Sequence, residues 1–208
     1  YLGVYDVGWE QLREDRLTKA LELGVVGQGT EMVEMSTTED WEALPDERKR
    51  YEAKRMAVYG GMVTAMDFHI GRLIEYLKAT GQYDNTLFVF TSDNGSEVSG
   101  TPDPLNGPAR FFVKSQGYTS EYETLGLKGS FNSISPSFAS ASASPLAFYK
   151  FYAGEGGLRV PLIIAGQSIA VKGELNHALS HVTDITPTIL SLAGVKAPDG
   201  RFGGRPVE

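Results

Sequence analysis

The chain has 208 residues, of which 41% are hydrophobic and 11% aromatic, enough for one domain with its own core. A formal charge of -7 excludes a broad basic field for gripping phosphate backbones, so nucleic acid is not an expected partner. Cysteine is absent, which removes disulfides, thiolate metal sites and cysteine nucleophiles together and leaves oxygen or imidazole to hold any metal.

The opening residues are rich in glycine and aromatics. Leu12, Leu17, Ala20, Leu21 and Leu23 then fall on one side of a helical pattern that Gly24 caps. The following segment, ending in TTEDWEALPDERKR, reads as a polar surface connection carrying one tryptophan. Pro45 and Asp46 open a second helix. Within it Tyr59, Met62, Val63, Met66, Ile70, Leu73, Ile74 and Leu77 recur at helical spacing as far as Gly81, the stripe of a long amphipathic helix packed on a sheet. Gly60 and Gly61 inside that helix cost about 1 kcal/mol each relative to alanine, which points to a close approach of other backbone.

TLFVFTSDNG, residues 86–95, reads as a buried strand that stops on Asp93-Asn94-Gly95. Its apolar part, like every other in the chain, is far shorter than the roughly 20 residues of a membrane span, so no membrane partner is expected. The chain starts at Tyr1 with no charged-then-apolar leader. The expectation is a soluble chain whose start is a processed or fragment end and whose compartment is open.

From Gly95 to Pro145 the sequence is rich in Gly, Ser, Pro and aromatics, with little periodicity. Such a tract reads as a functional loop region, or as strands and helices without a legible period. The run SPSFASASASP within it is expected to be an ordered loop rather than a linker, because aromatics flank it closely. FYKFYAGEGGLRVPLIIAG then gives an aromatic segment, a Gly-Gly turn and a short buried strand over Val160–Ala165. In HVTDITPTILSLAG, Asp184 is a good N-cap, Pro187 lies in the first turn and Gly194 closes the helix. Helices alternating with apolar strands indicate an α/β layered domain with a largely parallel sheet.

Ligands of open α/β sheets bind outside the carboxyl ends of the strands, where Asp93 and Asn94 stand. Successive strand residues point to opposite faces, but at a strand end the turn at Gly95 lets both side chains swing to one side. A carboxylate oxygen and a neutral carbonyl oxygen are hard donors that suit Ca²⁺ or Mg²⁺. The same tripeptide is also a good turn with no ligand at all.

YDVGWEQLREDRLTKALELGVV, MVTAMDFHIGRLIEYLKATGQYDNT, LFVFTSDNGSE, FYKFYAGEGGLRVP and HVTDITPTILSLAGV follow one another as they do in the sulfatases of the alkaline phosphatase superfamily. The chain resembles the bacterial arylsulfatase branch most, over nearly its whole length. The resemblance implies an alkaline-phosphatase-like α/β fold with a largely parallel central sheet, present as a partial domain. Residues 1–208 would be a single domain, the later portion of a sulfatase-type catalytic domain.

The same resemblance implies hydrolysis of a small-molecule sulfate ester. Asp93 and Asn94 would ligate Ca²⁺, another divalent cation being the alternative, and Lys150, upstream of Glu155-Gly156-Gly157, would reach the sulfate oxygens. Preplaced cations suit a reaction that gathers negative charge on those oxygens and on the leaving group. The family's nucleophile is a formylglycine hydrate made within a C/S-x-P/A-x-R motif, which this sequence lacks. Formylglycine is therefore expected in the complete family enzyme and not in this chain. The chain alone is expected to hold half a metal site, to bind calcium weakly or not at all and to turn over little sulfate ester. Its expected protein partner is the upstream part of the domain, or a second copy.

Other chemistry stays open beside this. His177 and His181 lie at helical spacing before Asp184, and IIAGQSIA places Ser168 just after a strand, which gives the elements of a serine esterase without the second glycine of a nucleophile elbow. His69, between Phe68 and Ile70, reads as a helix-face residue. A phosphomonoester or phosphonate hydrolase of the same superfamily and a non-catalytic truncated domain are the remaining alternatives.

Overall fold

The computed structural model describes residues 1–98, 108–195, 201–202 and 205–206. Part of the variable tract, residues 99–107, and most of the polar tail after Gly194 lie outside the described residues. The chain divides into two compact units, Tyr1–Lys172 and Gly173–Glu208.

The first unit contains helices α1 (Gly8–Glu22) and α2 (Asp46–Ala79), strand β1 (Leu87–Thr91), helices α3 (Pro108–Ser115) and α4 (Pro136–Ala143), the single-turn helix α5 (Glu155–Leu158) and strand β2 (Leu162–Gly166). Gly24 and Gly81 take φ values of 69° just past the first two helices, in the left-handed region that glycine enters without a steric cost.

An aromatic cluster makes the core. Trp9 of α1 meets Trp41 edge to face at 4.7 Å and Phe138 of α4 at 5.3 Å. Trp41, expected on a surface connection, is thus buried, because its flat ring fills the angle between Trp9 and Phe138. On α1 the buried side chains are Trp9 and Arg13, whereas the leucine stripe is half-buried or exposed. The Arg13 guanidinium is accommodated by donating from Nε to the Ser144 hydroxyl at 3.2 Å and from Nη2 to the Val33 carbonyl.

SPSFASASASP is not a loop. It forms α4, capped by the Ser135 hydroxyl, which accepts from the Phe138 amide, with Pro136 in the first turn. Ser137, Phe138, Ala139, Ser140 and Ala141 are all buried, and α4 packs on α1. Small side chains on either side of one large ring allow that approach.

The first third of α2 packs into this core through Ala53 and Met56. It also buries an ion pair. Glu52 accepts from Arg55 at 3.0 Å and from Arg48 at 2.8 Å, while Arg55 donates to the carbonyl and the hydroxyl of Ser133. Each buried charge therefore has partners, as its desolvation demands. Further along, Met62, Val63, Met66, Phe68, Leu73 and Tyr76 are exposed, so no sheet among the described residues covers the stripe expected to pack on one. A β-carbon at Gly60 would stand 2.9 Å from the Tyr5 hydroxyl, and one at Gly61 would meet nothing. The close neighbour at Gly60 is a side chain rather than backbone.

The strands depart from expectation as well. β1 and β2 pair antiparallel, Leu87 opposite Gly166 and Thr91 opposite Leu162, where a largely parallel sheet was expected. Val89, Phe90, Leu162, Ile163 and Ile164 are exposed rather than buried. The direction has a local cause: Gly157 docks against Gly95, just past the end of β1, so β2 begins there and must run back along it.

The second unit contains a 3-10 turn over Val182–Asp184, helix α6 (Ile185–Leu192) and the two-residue strands β3 (Arg201–Phe202) and β4 (Arg205–Pro206), paired antiparallel. Asp184 precedes α6, but its carboxylate accepts from the His181 amide at 2.7 Å and so caps the 3-10 turn instead. Gly194 closes α6 with φ 68°. No helix among the described residues is long and apolar enough to cross a membrane.

Candidate active site

The strand-end loop is organised by its own polar groups. The Ser92 hydroxyl donates to the Asn94 carbonyl at 2.8 Å, and the Asn94 side-chain amide donates to the Gly95 carbonyl at 2.9 Å. This fixes Asn94 with its nitrogen engaged and leaves Oδ1 as the acceptor. Asp93 is exposed, and among the described residues its carboxylate has no hydrogen-bond donor. Two hard oxygen donors thus stand side by side past β1.

Lys150 lies on a second loop with an unusual backbone. Phe148 and Phe151, on either side of the Tyr149-Lys150 pair, have φ of 64° and 78°, a region that bulky residues rarely occupy. Surrounding structure must impose that conformation. The Phe148 amide donates to the Met35 sulfur at 3.3 Å, its ring stacks on Tyr152 at 4.7 Å, and Tyr149 is buried in the core at 2% exposure. The Gly156 amide closes the loop on the Ala147 carbonyl at 2.7 Å. A β-carbon at Gly156 would come within 2.1 Å of the Phe148 oxygen and one at Gly157 within 2.4 Å of the Tyr152 oxygen. The Gly-Gly pair belongs to this closure and to α5, not to a simple turn.

The two loops are joined by backbone. The Gly95 amide donates to the Gly157 carbonyl at 2.9 Å, and the Lys150 amide donates to the Ser96 carbonyl at 3.0 Å. Asp93, Asn94 and Lys150, far apart in sequence, therefore stand on adjoining loops. The Lys150 ammonium donates to the Glu97 carboxylate and lies 5.2 Å from the centroid of the Phe151 ring. Glu97, Phe148 and Phe151 had no sequence signal of a role here, since each acts through a partner that only the loop closure brings near.

Asp93 and Asn94 fit a hard cation in kind. They supply a fraction of the roughly six to eight oxygens that Ca²⁺ takes. Among the described residues no group of three or more His, Cys, Asp or Glu could hold a metal ion.

Among the described residues, neither unit forms its own share of a serine-esterase triad. His69 is exposed on α2, with a ring nitrogen 3.2 Å from Arg72. His177 is exposed, and the His181 ring faces Thr183 at 3.0 Å while Asp184 binds the His181 backbone amide rather than the ring. Ser168 sits in a turn with no helix after it, which removes the elbow geometry.

The sulfatase family model matches residues 13–195. Over its whole length the chain is 32% identical to an arylsulfatase of Klebsiella aerogenes and 36% identical to an uncharacterized sulfatase of Schizosaccharomyces pombe. Over 69% of its length it is 27% identical to an N-acetylgalactosamine-6-sulfatase of Homo sapiens. The matched stretch spans 44%, 37% and 21% of the length of those three proteins.

Proposed function

The chain belongs to the sulfatase family, with its alkaline-phosphatase-like α/β fold, and from that premise we propose that it is part of a sulfuric ester hydrolase. Lys150 is the residue that meets the sulfate oxygens, and Asp93 and Asn94 are two of the donors to a divalent cation, Ca²⁺ suiting them best. The observation that carries this is the docking of Ser96 on Lys150 and of Gly95 on Gly157, which sets a cation and two oxygen donors on adjoining loops.

In this scheme each group does a separate job. Lys150 offers a positive charge to oxygens that gain negative charge as the ester bond breaks, and it is held in place before substrate arrives. Asp93 and Asn94 anchor the divalent cation, which when bound would polarise the sulfate oxygens. The chain has no C/S-x-P/A-x-R segment. We therefore assign the nucleophile to another part of the whole protein.

The family match runs through both compact units, which supports one sulfatase-type domain of which residues 1–208 are the later portion. The exposed Val89, Phe90, Ile163 and Ile164 support the placement of β1 and β2 within a larger, mainly parallel sheet, where a single antiparallel pair is ordinary. The test is kinetic. Full-length protein carrying this chain should hydrolyse 4-nitrophenyl sulfate faster than 4-nitrophenyl phosphate and lose that activity in Lys150→Ala. Faster phosphate hydrolysis would move the assignment to a phosphoester hydrolase, and an unaffected Lys150→Ala would remove Lys150 from it.

A further inference from the structure

We propose that Glu97 is the positioning residue of the Lys150 ammonium, an inference that rests on Lys150 being the cation that meets the sulfate. The Glu97 carboxylate accepts from Lys150 Nζ, and the two residues are brought together by the same backbone docking that forms the site, with Ser96, next to Glu97, accepting from the Lys150 amide at 3.0 Å. A lysine side chain has a flexible four-carbon stem and many rotamers. Left alone, its charge would be spread over the volume that the stem sweeps. A carboxylate on the neighbouring loop and the Phe151 ring at 5.2 Å both confine it.

A purely structural role explains the pair poorly. Lys150 and Glu97 retain 31% and 41% of their side-chain exposure, and ion pairs that accessible to water contribute little to stability. The segment carrying Lys150 is already fixed without it, through buried Tyr149, the left-handed Phe148 and Phe151, and the Gly156 closure. What the carboxylate adds is the position of the last atoms of the side chain. An ammonium also has three donors, so one contact to Glu97 leaves others for an anion. Preplacement of this kind raises rate, because the group need not be ordered as the reaction proceeds.

The tests separate position from charge and from the premise. In the 208-residue chain, lysine-selective carbon relaxation should show the Lys150 ε-methylene ordered, disordered in Glu97→Ala and partly reordered in Glu97→Asp. In the full-length protein Glu97→Ala should lower kcat on 4-nitrophenyl sulfate by about tenfold or more, with KM unchanged or lower since a negative charge has gone, and Glu97→Asp should recover part of it. Unchanged Lys150 order in Glu97→Ala would overturn the inference. So would an intact kcat with a lowered KM, which would make Glu97 only a competing counter-ion. Should Lys150→Ala keep full kcat, the premise fails and the inference with it, and the failure is then traced to Lys150 rather than to Glu97.

Discussion

The amide of Gly95 donates to the carbonyl of Gly157 at 2.9 Å, and a β-carbon at Gly95 would stand 1.8 Å from the carbonyl oxygen of Gly156. Only glycine permits that contact, and through it the end of β1 and the Lys150 loop become neighbours. Gly95→Ala must push backbone apart at both loops. It is expected to lower stability by about 1–3 kcal/mol in urea denaturation, in the range of other overpacking changes. Amide exchange at Gly95 and Lys150 should accelerate more than in the buried part of α2. An unchanged midpoint with unchanged exchange at Lys150 would disprove the docking.

Calcium titrated calorimetrically into the 208-residue chain should bind weakly, with a dissociation constant of about 1 mM or higher, because Asp93 and Asn94 are a fraction of a calcium shell. Asp93→Ala should abolish the heat that is seen. Submicromolar binding, or heat that survives Asp93→Ala, would place the ion elsewhere.

Phe138 is fully buried and meets Trp9, Trp41 and Tyr5 edge to face. Phe138→Ala is expected to cost about 3–5 kcal/mol, through lost transfer energy and a cavity that the rigid indoles cannot fill. Urea denaturation followed by tryptophan fluorescence would measure it. A loss below about 1 kcal/mol, far under the usual range, would mean that α4 is not the centre of the core.

Burial raises the Tyr149 phenol above its ordinary value of 10.0, and Tyr152 adds to the shift. The folded chain thus favours the neutral phenol. That contribution is fully present below the ordinary value and is lost as pH rises through the raised one. Tyr149→Phe removes the titrating group, so its stability should fall less steeply above about pH 10 than that of the unaltered chain. Tyr5, also raised by burial, remains in both and supplies the residual slope. Equal slopes in the two proteins would show that Tyr149 is solvated.

Local signals in the sequence were sound where the interaction was local. Pro45 and Gly81 bracket α2, Gly24 ends α1 and Gly194 ends α6, since a missing N–H or a left-handed φ acts within one turn of chain. Burial was less legible. A serine-rich run reads as a loop by propensity, yet α4 is the most buried helix because Ser135 caps it and its small side chains admit α1. Strand direction was illegible too, as it follows from where Gly157 docks.

By itself, the sequence determined the family, the limits of α2, the ends of α1 and α6, and the chemistry available at Asp93, Asn94 and Lys150, because residue type and order carry all of these. Only the tertiary structure decided that these residues adjoin, that Glu97 holds Lys150 and that Gly95, Gly156 and Gly157 are needed for contact rather than for turning. Backbone-to-backbone docking leaves no pattern along a chain. It depends on what arrives from far away, and a missing β-carbon shows only that there is room for a close approach.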